Sequence, residues 1–140
     1  MNEPAVIKKM LQESKVIAVI GMSDRNSRAS YHIGKYLAQH GYKVLPVNPT
    51  LQTVLGMTCY PDLESAQNAA RTEGAQIDLV DVFRAPEHVP PIVEAVIRLG
   101  IKYLWLQDGV VHHEAVARAE AAGVKCVQND CIYRRHAHMM

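Results

Sequence analysis

The features that mark a membrane, secreted or nucleic-acid-binding chain are missing from this 140-residue sequence. No apolar run approaches the roughly 18 residues of a membrane span, and the first residues do not read as a signal peptide. The three cysteines (Cys59, Cys126 and Cys131) are odd in number and have no CxxC spacing. They fit a reducing, cytoplasmic setting better than a disulfide framework or a zinc ribbon. Fifteen basic against fourteen acidic side chains leave a net charge of +1, without the basic excess of a chain held by nucleic-acid phosphates. No repeat, low-complexity tract or linker divides the chain. One domain is expected over residues 1–140, with its core in about 15–135.

What is present is ordinary globular composition, half hydrophobic and about a fifth charged, arranged as alternating strands and helices. Val16-Ile17-Ala18-Val19-Ile20 is a continuous apolar run, the pattern of a strand buried on both faces of a parallel sheet. Further strands are expected at Lys43–Val47, Ile77–Phe83, Tyr103–Leu106 and Lys125–Gln128. Helices are expected at Glu3–Glu13, around Ile33, Tyr36 and Leu37, at Asp62–Thr72, from Val89 to Leu99 and at His112–Ala122. Gly41, Gly100 and Gly123 stand where helices end, and Asp62 is placed to cap one. Strands separated by helices require right-handed crossovers. The fold class is therefore α/β, a doubly wound Rossmann-like fold with a five-stranded parallel sheet and helices on both faces. Its expected strand order is 3-2-1-4-5, with a switch point between strands one and four.

Ligands bind such sheets at the carboxyl ends of the strands. The loop Gly21 to Ser30 opens a helix there, and Arg25 and Arg28 add charge to backbone N–H groups that favour an anion. A solvated loop with capping serines is the alternative reading. A dinucleotide site would carry three glycines in the first loop and an acidic residue after the second strand. Here Ser23 replaces the second glycine and neutral Asn48 ends that strand. An NAD(P)-linked oxidoreductase is thus the weaker reading.

Gly21-Met22-Ser23, Ser27-Arg28-Ala29-Ser30-Tyr31, Gly41 to Pro49, Leu55-Gly56, Cys59-Tyr60-Pro61, Asp78 to Arg84, Leu104 to Val110 and Asn129 to Ile132 occur in order. Together they resemble the small bacterial and archaeal CoA-binding domain family. That family is similar to the CoA-binding domain of the succinyl-CoA synthetase α-subunit and of ADP-forming acyl-CoA synthetases. The resemblance implies coenzyme A, or an acyl-CoA, as ligand across the carboxyl edge. It places Gly21, Met22, Ser23 and Arg28 on the phosphates, with Arg25 and Ser30 in the same loop. Asn48, Pro49 and Thr50 flank the adenosine, and Phe83, Arg84, Gln107, Asp108 and Gly109 form the wall beyond. The chain is expected to be non-catalytic alone, a monomer or weak homo-oligomer that holds its ligand or presents it to a partner enzyme. A CoA-binding subunit of a split acyl-CoA ligase is a further alternative. Neither nucleic acid nor membrane is an expected partner.

The remaining candidates carry less. His112 and His113 open a helix, where neighbours diverge by about 100°, so both cannot face one ion. They read as a solvated helix start. His136 and His138 read as part of a mobile tail, and no metal site is expected. Trp105 and Cys131 read as core. Asp81, inside a strand, would need a buried partner such as a loop N–H or Arg84.

Overall fold

A computed structural model describes residues 2–140. Helix α1 (Pro4–Glu13) precedes strand β1 (Val16–Ile20), helix α2 (Ala29–Gln39) and strand β2 (Lys43–Val47). A short hairpin, β3 (Thr53–Val54) and β4 (Met57–Thr58), leads to α3 (Leu63–Thr72) and β5 (Leu79–Val82). After one 3-10 turn come α4 (Val89–Arg98), β6 (Tyr103–Leu106), α5 (His113–Ala121), β7 (Lys125–Val127) and α6 (Ile132–Met139). The five long strands form one parallel sheet, ordered β2-β1-β5-β6-β7.

The class is the expected one, but the third long strand is not at the outer edge. β5 pairs with β1, Ile17 opposite Leu79 and Ile20 opposite Val82, so in the numbering of the sequence the order is 2-1-3-4-5. The switch point moves accordingly to β1 and β5. Pro46 explains why β2 cannot be an inner strand. Proline has no N–H for a ladder and is confined to edges. Val47 turns its carbonyl toward β1, accepting from Gly21 N–H at 2.8 Å, whereas the Pro46 carbonyl faces outward and accepts from Tyr60 N–H at 2.9 Å. The hairpin thus brings Tyr60 back along the open edge, where it bridges Val47 and protects it.

Right-handed crossovers fix which face each helix covers. The step from β1 to β2 runs one way and the later steps run the other, so α2 lies opposite α3, α4 and α5. Two cores result. Ala18, Ile20, Val80, Val82, Leu104 and Leu106 pack under α3, α4 and α5. Ile17, Val19, Leu79 and Trp105 pack under α1, α2 and Ile132 of α6. Each fully buried large side chain in these layers contributes about 1.5–3 kcal/mol. Crossover connections supply only α2 to the second face, so the terminal helices α1 and α6 complete it.

Helix α6 replaces the mobile tail expected at His136 and His138. His136 is buried, with its Nδ1 2.8 Å from the Tyr36 hydroxyl and its ring edge-on to Tyr36, His40 and Tyr42. Burial first, and the neighbouring His40 second, hold its pKa below the ordinary value. Trp105 and Cys131 are core, as expected, and the indole N–H donates to the Asp130 carbonyl at 3.0 Å. Asp81 departs from expectation: it is fully buried, and neither a loop N–H nor Arg84 meets its carboxylate oxygens. Burial alone pushes its pKa well up, because desolvation disfavours the charged form. Among the described residues no three metal-binding side chains converge, and no helix is long and apolar enough to cross a membrane.

Candidate functional site

The switch point is built around Gly21. Its φ of +82° is a conformation that side chains resist, and a Cβ there would stand 2.5 Å from the Phe83 carbonyl oxygen. β1 and β5 therefore emerge side by side with no side chain between them. The loop after Gly21 is closed by its own serines. The buried Ser30 hydroxyl accepts from Ser23 N–H at 3.0 Å, and the Ser23 hydroxyl accepts from Arg25 N–H at 3.0 Å. The Met22 side chain is fully buried against Gly34, which leaves only its backbone for the loop surface. Helix α2 then starts with no side-chain cap and no acidic residue in its first turn, so its N-terminal partial charge is unanswered. A polar cavity of about 380 Å³ lies here between Gly21, Ser23, Arg25, Arg28, Ala29, Ser30 and Phe83.

A second cavity, of about 300 Å³, adjoins it across Phe83 and Arg84. Ile20, Val47, Pro49, Leu63, Pro91 and Ile92 line it, with Arg84 at its polar side. Asn48 ties the two loops together. Its amide donates to the Met22 carbonyl at 3.1 Å, and its oxygen accepts from the Thr50 N–H at 3.0 Å and hydroxyl at 2.8 Å. Sequence reading missed Leu63, Pro91 and Ile92, which are apolar residues of helices and carry no sign of a cleft in their spacing.

The arginines separate into two groups. Arg98 pairs with Glu64, Arg118 with Glu94, Arg134 with Asp108 and Asp130, and Arg135 with Asp130. Arg71 donates to the Leu99 carbonyl. Among the described residues, Arg25, Arg28 and Arg84 alone of the eight meet neither a carboxylate nor a carbonyl through the guanidinium. All three lie on these two cavities.

Gln107, Asp108 and Gly109 line neither cavity. The Gln107 side chain accepts from Ile132 N–H at 3.1 Å, Asp108 takes both guanidinium nitrogens of Arg134 at 3.1 Å, and Gly109 N–H donates to Asn129 at 2.8 Å. These residues anchor the start of α6 to the end of β6. His112 caps α5, its Nδ1 accepting from Ala115 N–H at 3.1 Å, and His113 is exposed beside it.

The pattern of the CoA binding domain matches residues 15–137. The chain belongs to the CoA binding domain family. Among its relatives, the uncharacterized protein YneT of Bacillus subtilis is 35% identical over 133 residues, covering 95% of this chain and 93% of that one. A solved structure of a hypothetical protein from Pyrococcus horikoshii superposes with a TM-score of 0.88 at 34% identity, covering 98% of this chain and 92% of that one. An ADP-forming acetate–CoA ligase of Archaeoglobus fulgidus is 31% identical over 129 residues, 84% of this chain but only 18% of the ligase. The match thus takes in most of this chain but only a small part of the ligase.

Proposed function

We propose that this chain binds coenzyme A or an acyl-CoA across the carboxyl ends of β1, β2 and β5. The observation that carries the reading is the placement of Arg25, Arg28 and Arg84, three guanidiniums without internal partners, around an uncapped helix start and a glycine-only turn. Coenzyme A brings a pyrophosphate and a 3′-phosphate, and arginine meets phosphate through charge-assisted, often bidentate hydrogen bonds. The first cavity takes phosphate, with Ser23 and the α2 N–H groups beside the arginines. The second, walled by Pro49 and aliphatic side chains, takes the adenosine. Asn48 contributes by holding both loops in place. In this reading the protein holds the coenzyme in the cytoplasm, carries it, or presents it to a separate enzyme. The similarity to one segment of a ligase supports presentation to a partner.

Calorimetry with coenzyme A, dephospho-CoA and NAD tests the reading. Coenzyme A is expected to bind more tightly than NAD, because Asn48 cannot supply the acidic ribose clamp. It should also raise the melting temperature, since a ligand at a hundredfold excess over Kd stabilises by about 2.7 kcal/mol. Tighter binding of NAD than of coenzyme A overturns the proposal.

A further inference from the structure

The two cavities of the coenzyme cleft open toward opposite faces of the sheet. Ile20, Val47 and Leu63 of the adenosine cavity belong to the core under α3, α4 and α5. Phe83 of the phosphate cavity packs against the core under α2 and α6, and Ala29 and Ser30 of α2 line the same cavity. A coenzyme laid from the first to the second therefore points its remaining part, the pantetheine arm, toward the α2–α6 face. The larger groove between α4 and α5 lies at the wrong end, because it meets the cleft only through Pro91 of the adenosine cavity.

On the α2–α6 face a groove of about 380 Å³ runs between α2 and Tyr133 in the first turn of α6. Its volume is within the range of about 300–1,000 Å³ usual for small-molecule sites. It starts one helical turn beyond the phosphate cavity: Ala29 lines that cavity, and His32 and Ile33 line the groove. His32 joins the two, since its Nε2–H donates to the Asn26 carbonyl in the loop that carries Arg25 and Arg28. Ile33, Tyr36 and Tyr133 make an apolar and aromatic wall. The Tyr36 hydroxyl is fixed 2.8 Å from His136 Nδ1, and Tyr133 stands edge-on to Tyr36 with ring centroids 4.7 Å apart. Tyr133 is still 46% exposed, so its outer surface is open to a ligand. Lys35 and Gln39 complete the groove, both exposed and without a side-chain partner among the described residues. The arm has matching chemistry: it is uncharged, its dimethyl carbon needs apolar contact, and its amides need donors and acceptors. Gln39 offers both kinds and Lys35 donors only. From Ala29 to Gln39 the helix rises about 15 Å, a length that the extended arm of pantoyl, β-alanyl and cysteamine units can follow.

We infer that the α2–α6 groove receives the pantetheine arm, with Tyr36 and Tyr133 as its wall and Gln39 and Lys35 on its amides. The inference rests on the coenzyme reading above. It adds the course of the arm, and with it the side of the molecule from which a partner reaches the thiol. No bond is made or broken.

Calorimetry on the whole chain tests it with coenzyme A and with 3′-phosphoadenosine 5′-diphosphate, the same molecule without the arm. Tyr133→Ala and Gln39→Ala change exposed side chains on two different helices, so loss of folding in one leaves the other as a test. Each should weaken coenzyme A binding by about 3- to 10-fold, the value of one neutral hydrogen bond or a comparable contact. Neither should change the affinity for the armless nucleotide. Full coenzyme A affinity in both variants places the arm elsewhere and overturns the groove assignment, while the coenzyme reading stands. An equal loss for both ligands also overturns it, because the substitutions then act on the phosphate loop. Failure of the wild type to bind either ligand overturns the coenzyme reading itself, and the groove with it.

Discussion

The two ends of the sheet's carboxyl edge use arginine and aspartate in opposite ways. Over β1, β2 and β5, Arg25, Arg28 and Arg84 stand without internal partners around an open cavity. Over β6 and β7, Arg134 and Arg135 are bound to Asp108 and Asp130, with bonds between 2.8 and 3.3 Å. The resemblance of the sequence placed ligand-binding residues at both ends. The structure distinguishes them by whether the charge is already answered. A guanidinium held by two carboxylates brings little to an external phosphate, whereas an unpaired one can form the stronger charge-assisted bond. The first end is organised for a ligand and the second to fasten α6.

The largest effect should come from Gly21, where β1 and β5 leave no room for a side chain. Gly21→Ala forces a Cβ into a positive-φ conformation and against the Phe83 carbonyl. It is expected to lower stability by about 2–4 kcal/mol in denaturant titration and to abolish coenzyme A binding in calorimetry. A stable variant with normal affinity would break the switch-point assignment.

Asp130→Ala should follow, at about 2–3 kcal/mol, because it leaves Arg135 and the Cys131 N–H without their acceptor. Burial pushes this carboxyl up, but the Arg135 and Cys131 hydrogen bonds and the charges of Arg135 and Arg134 outweigh it, and its pKa lies below the ordinary value. A depressed carboxylate stabilises above its unfolded pKa, and that stability is lost as pH falls from there through the folded value. His136, also depressed, acts in the same direction but earlier. The unfolded state takes up its proton as pH drops below about 6.5, the usual histidine value, while the folded state resists until its lower pKa is reached. Hydrogen exchange should therefore show α6 losing protection on acidification before the sheet does. Simultaneous loss in both would make α6 part of one unit with the rest.

The smallest and sharpest contrast pairs Arg28→Ala with Arg134→Ala. Arg28 is exposed and unpaired, so its loss should leave stability within about 0.5 kcal/mol and weaken coenzyme A binding by roughly 10- to 150-fold. If Arg28 meets the 3′-phosphate, that loss should vanish with dephospho-CoA. If it meets the pyrophosphate, the loss should persist. Arg134→Ala should show the reverse, about 0.2–1 kcal/mol of stability lost from an exposed pair and unchanged affinity. Thermal melts and calorimetry on both variants check this, and a shared pattern would erase the distinction between the two ends.

Much of this was legible in the residues. The unbroken apolar run at Val16–Ile20 specified a strand buried on both faces, and Gly21 after it marked the place where the chain turns toward α2. Asp62 as a cap and the stops at Gly41, Gly100 and Gly123 also stand where the sequence put them. Pro46 carried the clue to the edge position of β2, and with it the strand order, but a single residue without N–H is easily outvoted by the apolar residues around it. Helix α6 had no such clue. Ile132 and His136 are its buried residues, and a histidine four positions after an isoleucine does not read as an amphipathic stripe.

Local sequence determined the elements, because hydrophobic periodicity, caps and left-handed glycines act within a few residues. Tertiary structure decided which elements became neighbours and which charges remained free. The reversal of winding left one sheet face short of helices, and α1 and α6 fill it. Fastening α6 engaged Gln107, Asp108, Arg134 and Arg135. Arg134 takes both oxygens of Asp108, 26 positions away, whereas Arg28 meets no carboxylate, and that difference became visible only once the chain had folded.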